Sequence, residues 1–132
     1  MTNKEIIEKM YVDFVHGNVP EILNAMSDNV VIQTPGTSII TWAGTYKGKD
    51  GAMEFFKNVG TSTTYLKFEA KSFVAEGDKV VAVGAADFTS AKTGKTGTSD
   101  WVMVWTLEGG KATHVLNQWD TEAIAESETA LQ

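Results

Sequence analysis

The chain has 132 residues, 42% hydrophobic and 21% charged, which suits one soluble domain burying roughly two thirds of its unfolded surface. It contains no cysteine, so disulfides, thiol nucleophiles and cysteine-based metal sites are excluded. The net charge is −6 and all eleven cations are lysine; lacking arginine's bidentate fork, such an acidic chain is a poor partner for nucleic acid or an anionic membrane. No apolar run approaches the ~20 residues of a membrane span, and the N-terminus carries no signal-peptide pattern. A cytoplasmic location is the expectation.

The first helix is announced by Thr2-Asn3-Lys4-Glu5, a capping box in which hydroxyl and carboxylate satisfy each other's free N–H groups. Ile6, Ile7, Met10, Tyr11, Phe14 and Val15 follow at helical spacing and predict one apolar face. Gly17 ends the helix. Asn18-Val19-Pro20-Glu21 starts a short second helix carrying Ile22, Leu23 and Met26, with Pro20 in the first turn, where its missing N–H is harmless. Ser27-Asp28-Asn29 leads into a strand over Val30–Thr34, broken by Pro35-Gly36. A loop containing Trp42 and AGTYKGKDG comes next, then a third helix from about Gly51 to Val59 with Ala52, Met53, Phe55, Phe56 and Val59 on its apolar side.

Beyond it the chain turns to strand. Tyr65–Ala75, Lys79–Thr89, Thr98–Leu107 and Ala112–Trp119 are rich in Val, Phe, Trp and Thr, and EGD, SAKTGKTG and EGG punctuate them as hairpins. A terminal helix is expected over Glu122–Glu128. Helices first and linked strands afterwards predict an α+β fold, with helices on one face of a curved antiparallel (mixed) sheet, in a single domain over 1–132. The segment TGKTG at 93–97 is no phosphate loop, because position 89 is Thr where a glycine is required.

The stretches YVDFVHGNVPEILNAMSDNVVIQTPG, WAGTYKGKDGAMEFF, FVAEGDKVVAVG, WVMVWTLEGGKA and NQWDT together resemble the SnoaL-like and ketosteroid isomerase-related branch of the nuclear transport factor 2-like superfamily. The resemblance implies a cone, open at one end over an apolar pocket, and a homodimer through the sheet. It does not extend to the isomerase catalytic set. Aligned on Gly17 and Pro35, the expected tyrosine is Met10 and the expected base is Thr34. The third position falls near Val102, two residues from Asp100. The pattern of SnoaL-type cyclases, Gly-Lys and then an acid nine residues after the lysine, is met by Lys111 and Asp120.

Asp120 therefore has two readings: a general acid/base desolvated beside Trp119, or the N-cap of the helix that follows. Asn117 and Trp119 share a strand face with Val115. By resemblance that face meets the pocket, with Asn117 as a hydrogen-bond partner to a carbonyl. Tyr11, Phe14, Trp42, Tyr46, Phe55, Phe56 and Val102 complete the expected ligand-binding set. His114, on the opposite strand face, and His16, at a helix end, give no metal-ligand spacing, so no metal and no cofactor are expected. Trp101 and Trp105 share the other face of their strand from Val102; two large aromatics on the outside of a sheet suggest a covered interface. The resulting expectation is an isomerase or cyclase acting on a hydrophobic carbonyl compound by proton transfer through Asp120, assisted by Asn117. The alternative is a non-catalytic module of the same fold that binds a small apolar ligand or dimerises.

Overall fold

The computed structural model describes residues 1–129. Helix α1 (Asn3–Val15) opens on the capping box: Thr2 Oγ1 accepts from the Glu5 N–H at 3.2 Å and the Glu5 carboxylate accepts from the Thr2 N–H at 2.9 Å. Its buried residues are Ile7, Met10 and Tyr11, while Val15, expected on the same face, is 61% exposed. At about 1.5–3 kcal/mol per fully buried large apolar side chain, that face and not helix propensity holds α1 in place. Gly17, at φ 71°, ends it.

The short α2 (Val19–Asn24) gives way at once to β1 (Met26–Thr34), so Met26 belongs to the strand and not, as expected, to the helix. The Trp42 loop leads into an unforeseen strand, β2 (Gly44–Lys47), which pairs antiparallel with β1. Helix α3 (Gly48–Ser62) starts three residues before the expected Gly51 and buries Ala52 and Val59; Met53 is 52% exposed. Then come β3 (Thr63–Glu76), β4 (Lys79–Ser90), β5 (Thr96–Glu108), β6 (Lys111–Trp119) and α4 (Thr121–Glu128).

The six strands form one curved sheet in the order β2-β1-β6-β5-β4-β3, antiparallel except where β1 lies parallel to β6. The α+β class and the mixed sheet are as the sequence led one to expect. Curvature comes from irregularities in β3, where register shifts between Tyr65 and Lys67 and again between Ala70 and Ser72. Each extra residue resets the alternation, so Tyr65, Phe68 and Phe73 all pack against the main core although they are three and five residues apart. Where β3 crosses β4, a Cβ on Gly84 would stand 2.1 Å from the Glu69 carbonyl oxygen and 2.3 Å from the Trp101 ring. Only glycine permits that approach.

The concave face of β5 carries Trp101, Met103 and Trp105, opposite Trp119, Asn117 and Val115 of β6. Trp101 and Trp105 are buried, and Tyr11 of α1 stacks on Trp101 with centroids 5.3 Å apart. This inverts the expectation for β5: the tryptophans face inward, and Val102, at 37% exposure, faces outward with Asp100. Both faces of this strand are apolar, so alternation alone could not say which was inside.

Candidate functional site

The inner sheet face, α1 and α3 enclose an apolar cavity of about 70 Å³. From the helices come Met10, Tyr11 and Phe14 of α1, Ile22 of α2, and Phe55, Phe56 and Val59 of α3. The strands supply Met26 and Ile32, Tyr65 and Phe68, Met103 and Trp105, and Val115, Asn117 and Trp119. Trp42, from the loop before β2, closes one side, edge-on to Trp119 at 5.9 Å. Ligand sites that stand ready-made run to roughly 300–1,000 Å³. A ring-sized guest therefore enters this cavity only as its walls move. The unbranched thioethers of Met10, Met26 and Met103 and the half-buried rings of Phe14 and Phe56 have that freedom.

Of the residues singled out from sequence, Tyr11, Phe14, Trp42, Phe55, Phe56, Val115, Asn117 and Trp119 lie in this wall; Tyr46, Val102 and Asp120 do not. Tyr46 is buried behind Trp42: its hydroxyl donates to the Trp42 carbonyl at 3.0 Å and accepts from Asn58 at 3.1 Å. Val102 is on the outer face of the sheet. Asp120 is the N-cap of α4. Its Oδ1 accepts from the Ala123 N–H at 3.1 Å, and the residue is exposed. Its spacing partner Lys111 likewise serves a helix end, donating to the carbonyl of Asn24, the last residue of α2. Both charges match the helix dipoles they face. The Lys-to-acid spacing thus has a full structural explanation. His114 lies outside the wall, bonded to Gln33 at 2.6 Å, and His16 is bonded to the Val12 carbonyl at 2.8 Å.

Sequence reasoning missed Met10, Ile22, Met26, Ile32, Val59, Tyr65, Phe68, Met103 and Trp105 as wall residues. Met10 is placed by sequence on the apolar face of α1 and at an isomerase position it does not fit, but neither signal marks it as a wall residue. Tyr65 and Phe68 were hidden by the bulge between them, which breaks the two-residue period a strand is recognised by.

Polar groups in the wall are few and ordered. Trp105 Nε1 donates to the Tyr11 hydroxyl at 2.9 Å, which in turn donates to Met103 Sδ at 2.9 Å. Trp119 Nε1 donates to Asn117 Oδ1 at 2.6 Å, and Asn117 Nδ2 donates to Thr34 Oγ1 at 3.4 Å. Thr34, at the expected position of the isomerase base, is fully buried and offers a hydroxyl where that chemistry needs a carboxylate. Burial pushes the Tyr11 phenol well above the usual tyrosine range, against a smaller lowering by Trp105, and burial alone does the same to Tyr65. Both are neutral donors at any physiological pH. Among the described residues no carboxylate, imidazole or amine lines the cavity. Among the described residues no three of His, Cys, Asp and Glu converge as metal ligands, and no helix is long and apolar enough to cross a membrane.

A family model for the SnoaL-like domain matches residues 7–115. Among solved structures, the chain is similar to a nuclear transport factor 2-like protein of unknown function from Burkholderia pseudomallei K96243. The two are 26% identical with TM-score 0.90, over 98% of this chain and 100% of that one. TerC, crystallised with polyporic acid, is 32% identical with TM-score 0.85, over 96% of this chain and 97% of that one. A Pseudomonas putida KT2440 protein named provisionally as a polyketide cyclase has TM-score 0.77 over 96% of this chain and 98% of its own; at 18% identity it speaks for the fold alone. Comparison with curated protein sequences found no match.

Proposed function

The chain belongs to the SnoaL-like domain family, and from that premise we propose that its cavity binds a flat aromatic carbonyl compound, with the oxygen seated on the Asn117 amide. The observation that carries this reading is the composition of the wall among the described residues: aromatic rings from two helices, three strands and a loop, one amide, and no charged side chain. Rings favour rings in offset or edge-on packing, and a single oriented dipole in an apolar pocket fixes how a guest lies. Polyporic acid, the molecule in the TerC crystal, is a hydroxylated quinone carrying phenyl rings, which supports the same ligand class here.

Tyr65 favours a second reading in the isomerase or cyclase direction. A phenol kept neutral by burial, acting with the Asn117 N–H, would stabilise the oxygen of an enol or enolate. The carbon-bound proton would then leave to a base supplied by ligand or solvent, since the wall holds none and Asp120 is committed to α4. We also propose that the outer sheet face meets a second copy of the chain. Val83, Val102, Val104 and Leu116 stand there on paired strands, where a solvated face would alternate to polar residues.

Calorimetric titration with 9-fluorenone and with polyporic acid tests the binding claim. Asn117→Leu should weaken fluorenone about fivefold to tenfold, the worth of one neutral hydrogen bond. Fluorene, the same skeleton without oxygen, should bind that variant no more weakly than it binds the unaltered protein. Failure of both carbonyl compounds to bind saturably, or an Asn117→Leu protein that holds fluorenone as tightly as before, would overturn the reading.

A further inference from the structure

An indole N–H donates and cannot accept. Trp119 Nε1 lies 2.6 Å from the Asn117 side chain, so the atom it meets must be the amide oxygen, and the amide cannot be turned the other way. Its NH2 is thereby directed to Thr34 Oγ1, 3.4 Å away. An NH2 has two hydrogens; Thr34 accepts one, and the other, on a side chain that lines the cavity, has no partner among the described residues. The rest of the wall offers little to accept a guest's proton. The Tyr11 hydroxyl is engaged on both sides, by Trp105 and Met103. Trp42 is another donor-only ring, and the sulfurs of Met10 and Met26 are weak acceptors. The Tyr65 hydroxyl can turn either way, so discrimination falls to Asn117.

We infer that Trp119 is a positioning residue which, by locking the Asn117 amide, makes the cavity selective for hydrogen-bond acceptors: a ketone or quinone binds more tightly than the alcohol or hydroquinone of the same skeleton. The inference deepens the ligand reading above and rests on it. A ketone takes the Asn117 hydrogen and the Tyr65 hydrogen on its oxygen, whereas an alcohol brings one hydrogen more. Only the Tyr65 oxygen, or the second lone pair of the Asn117 oxygen already bonded to Trp119, could accept it, and a buried hydrogen left over is more costly than a made bond is favourable. The site thus retains the oxidised member of a carbonyl–alcohol pair and releases the reduced one.

The test compares 9-fluorenone with 9-fluorenol by titration calorimetry. The chain has no cysteine to add to either. The unaltered protein should prefer fluorenone about tenfold. Trp119→Phe keeps a ring but frees the amide to flip, and the preference should fall to near one. A purely structural loss would weaken both ligands by the same factor and leave the ratio unmoved. Asn117→Asp puts an acceptor in place of the NH2 and should invert the preference; it decides the matter if Trp119→Phe does not fold, as read from its thermal melt. The inference is overturned if the unaltered protein fails to prefer fluorenone, or if both variants keep its ratio. Absence of binding by either compound would instead overturn the ligand reading on which it rests.

Discussion

Removing the Asp120 carboxylate separates a helix cap from a working acid. In Asp120→Ala the Ala123 N–H loses its 3.1 Å acceptor, and N-cap truncations of this kind cost about 1 kcal/mol. Unfolding entropies near 2.1 cal/mol/K per residue, over 132 residues, make that worth about 4 °C in Tm. Asp120→Asn keeps an equally good cap and loses only the interaction of the charge with the α4 dipole, a few tenths of a kcal/mol, or about 1 °C. Neither change should alter fluorenone affinity by more than about twofold, because the carboxylate lies outside the cavity wall. The assays are a thermal melt by circular dichroism and a calorimetric titration on each variant. An Asp120→Asn protein that melts normally yet loses affinity or turnover tenfold would show that the carboxylate reaches the ligand, and would refute its assignment as a cap.

Gly84→Ala should destabilise by about 3 kcal/mol, roughly 10 °C, because the added methyl meets the Glu69 backbone as well as Trp101; a melt within 2 °C of the unaltered protein would mean that β3 and Trp101 can yield there. Tyr11 and Tyr65 are held above their ordinary pKa of 10.0 in the folded state, so the stability they contribute is intact below pH 10, where the unfolded chain still keeps its protons, and is lost as pH rises beyond it. Chemical denaturation at stepped pH should show that alkaline loss, and tyrosinate absorbance of these two residues should appear together with unfolding. If the outer face pairs two copies, Val102→Glu with Val104→Glu should give monomers by sedimentation equilibrium without lowering fluorenone affinity. A chain that is monomeric before the change would end that proposal.

The elements were legible where local chemistry dictates them: the capping box of α1, the Gly109-Gly110 turn, both at positive φ, and the long β-rich runs. Strand β2 was not, because four residues, with Gly44 at the start and Lys47 at the end, carry no period to read; pairing with β1 makes it a strand. The cavity was half legible. Asn117, Val115 and Trp119 were assigned to one face by alternation along a regular strand. Tyr65 and Phe68 were lost at a bulge, and β5 was read inside out because Trp101, Met103 and Trp105 alternate with valines as apolar as themselves. Asp120 shows a different limit. Its spacing from Lys111 is shared by two explanations, and only the carboxylate's position distinguishes a proton-transfer group from a cap.

The most direct measurement is the side-chain amide of Asn117 in 15N-labelled protein, identified by its loss in Asn117→Asp, followed as 9-fluorenone is added. A carbonyl seated on that amide should move one of its two proton resonances downfield along the same saturation curve as the calorimetric titration. Saturable binding that leaves both Asn117 protons where they were would contradict the account, because the oxygen would then be held elsewhere.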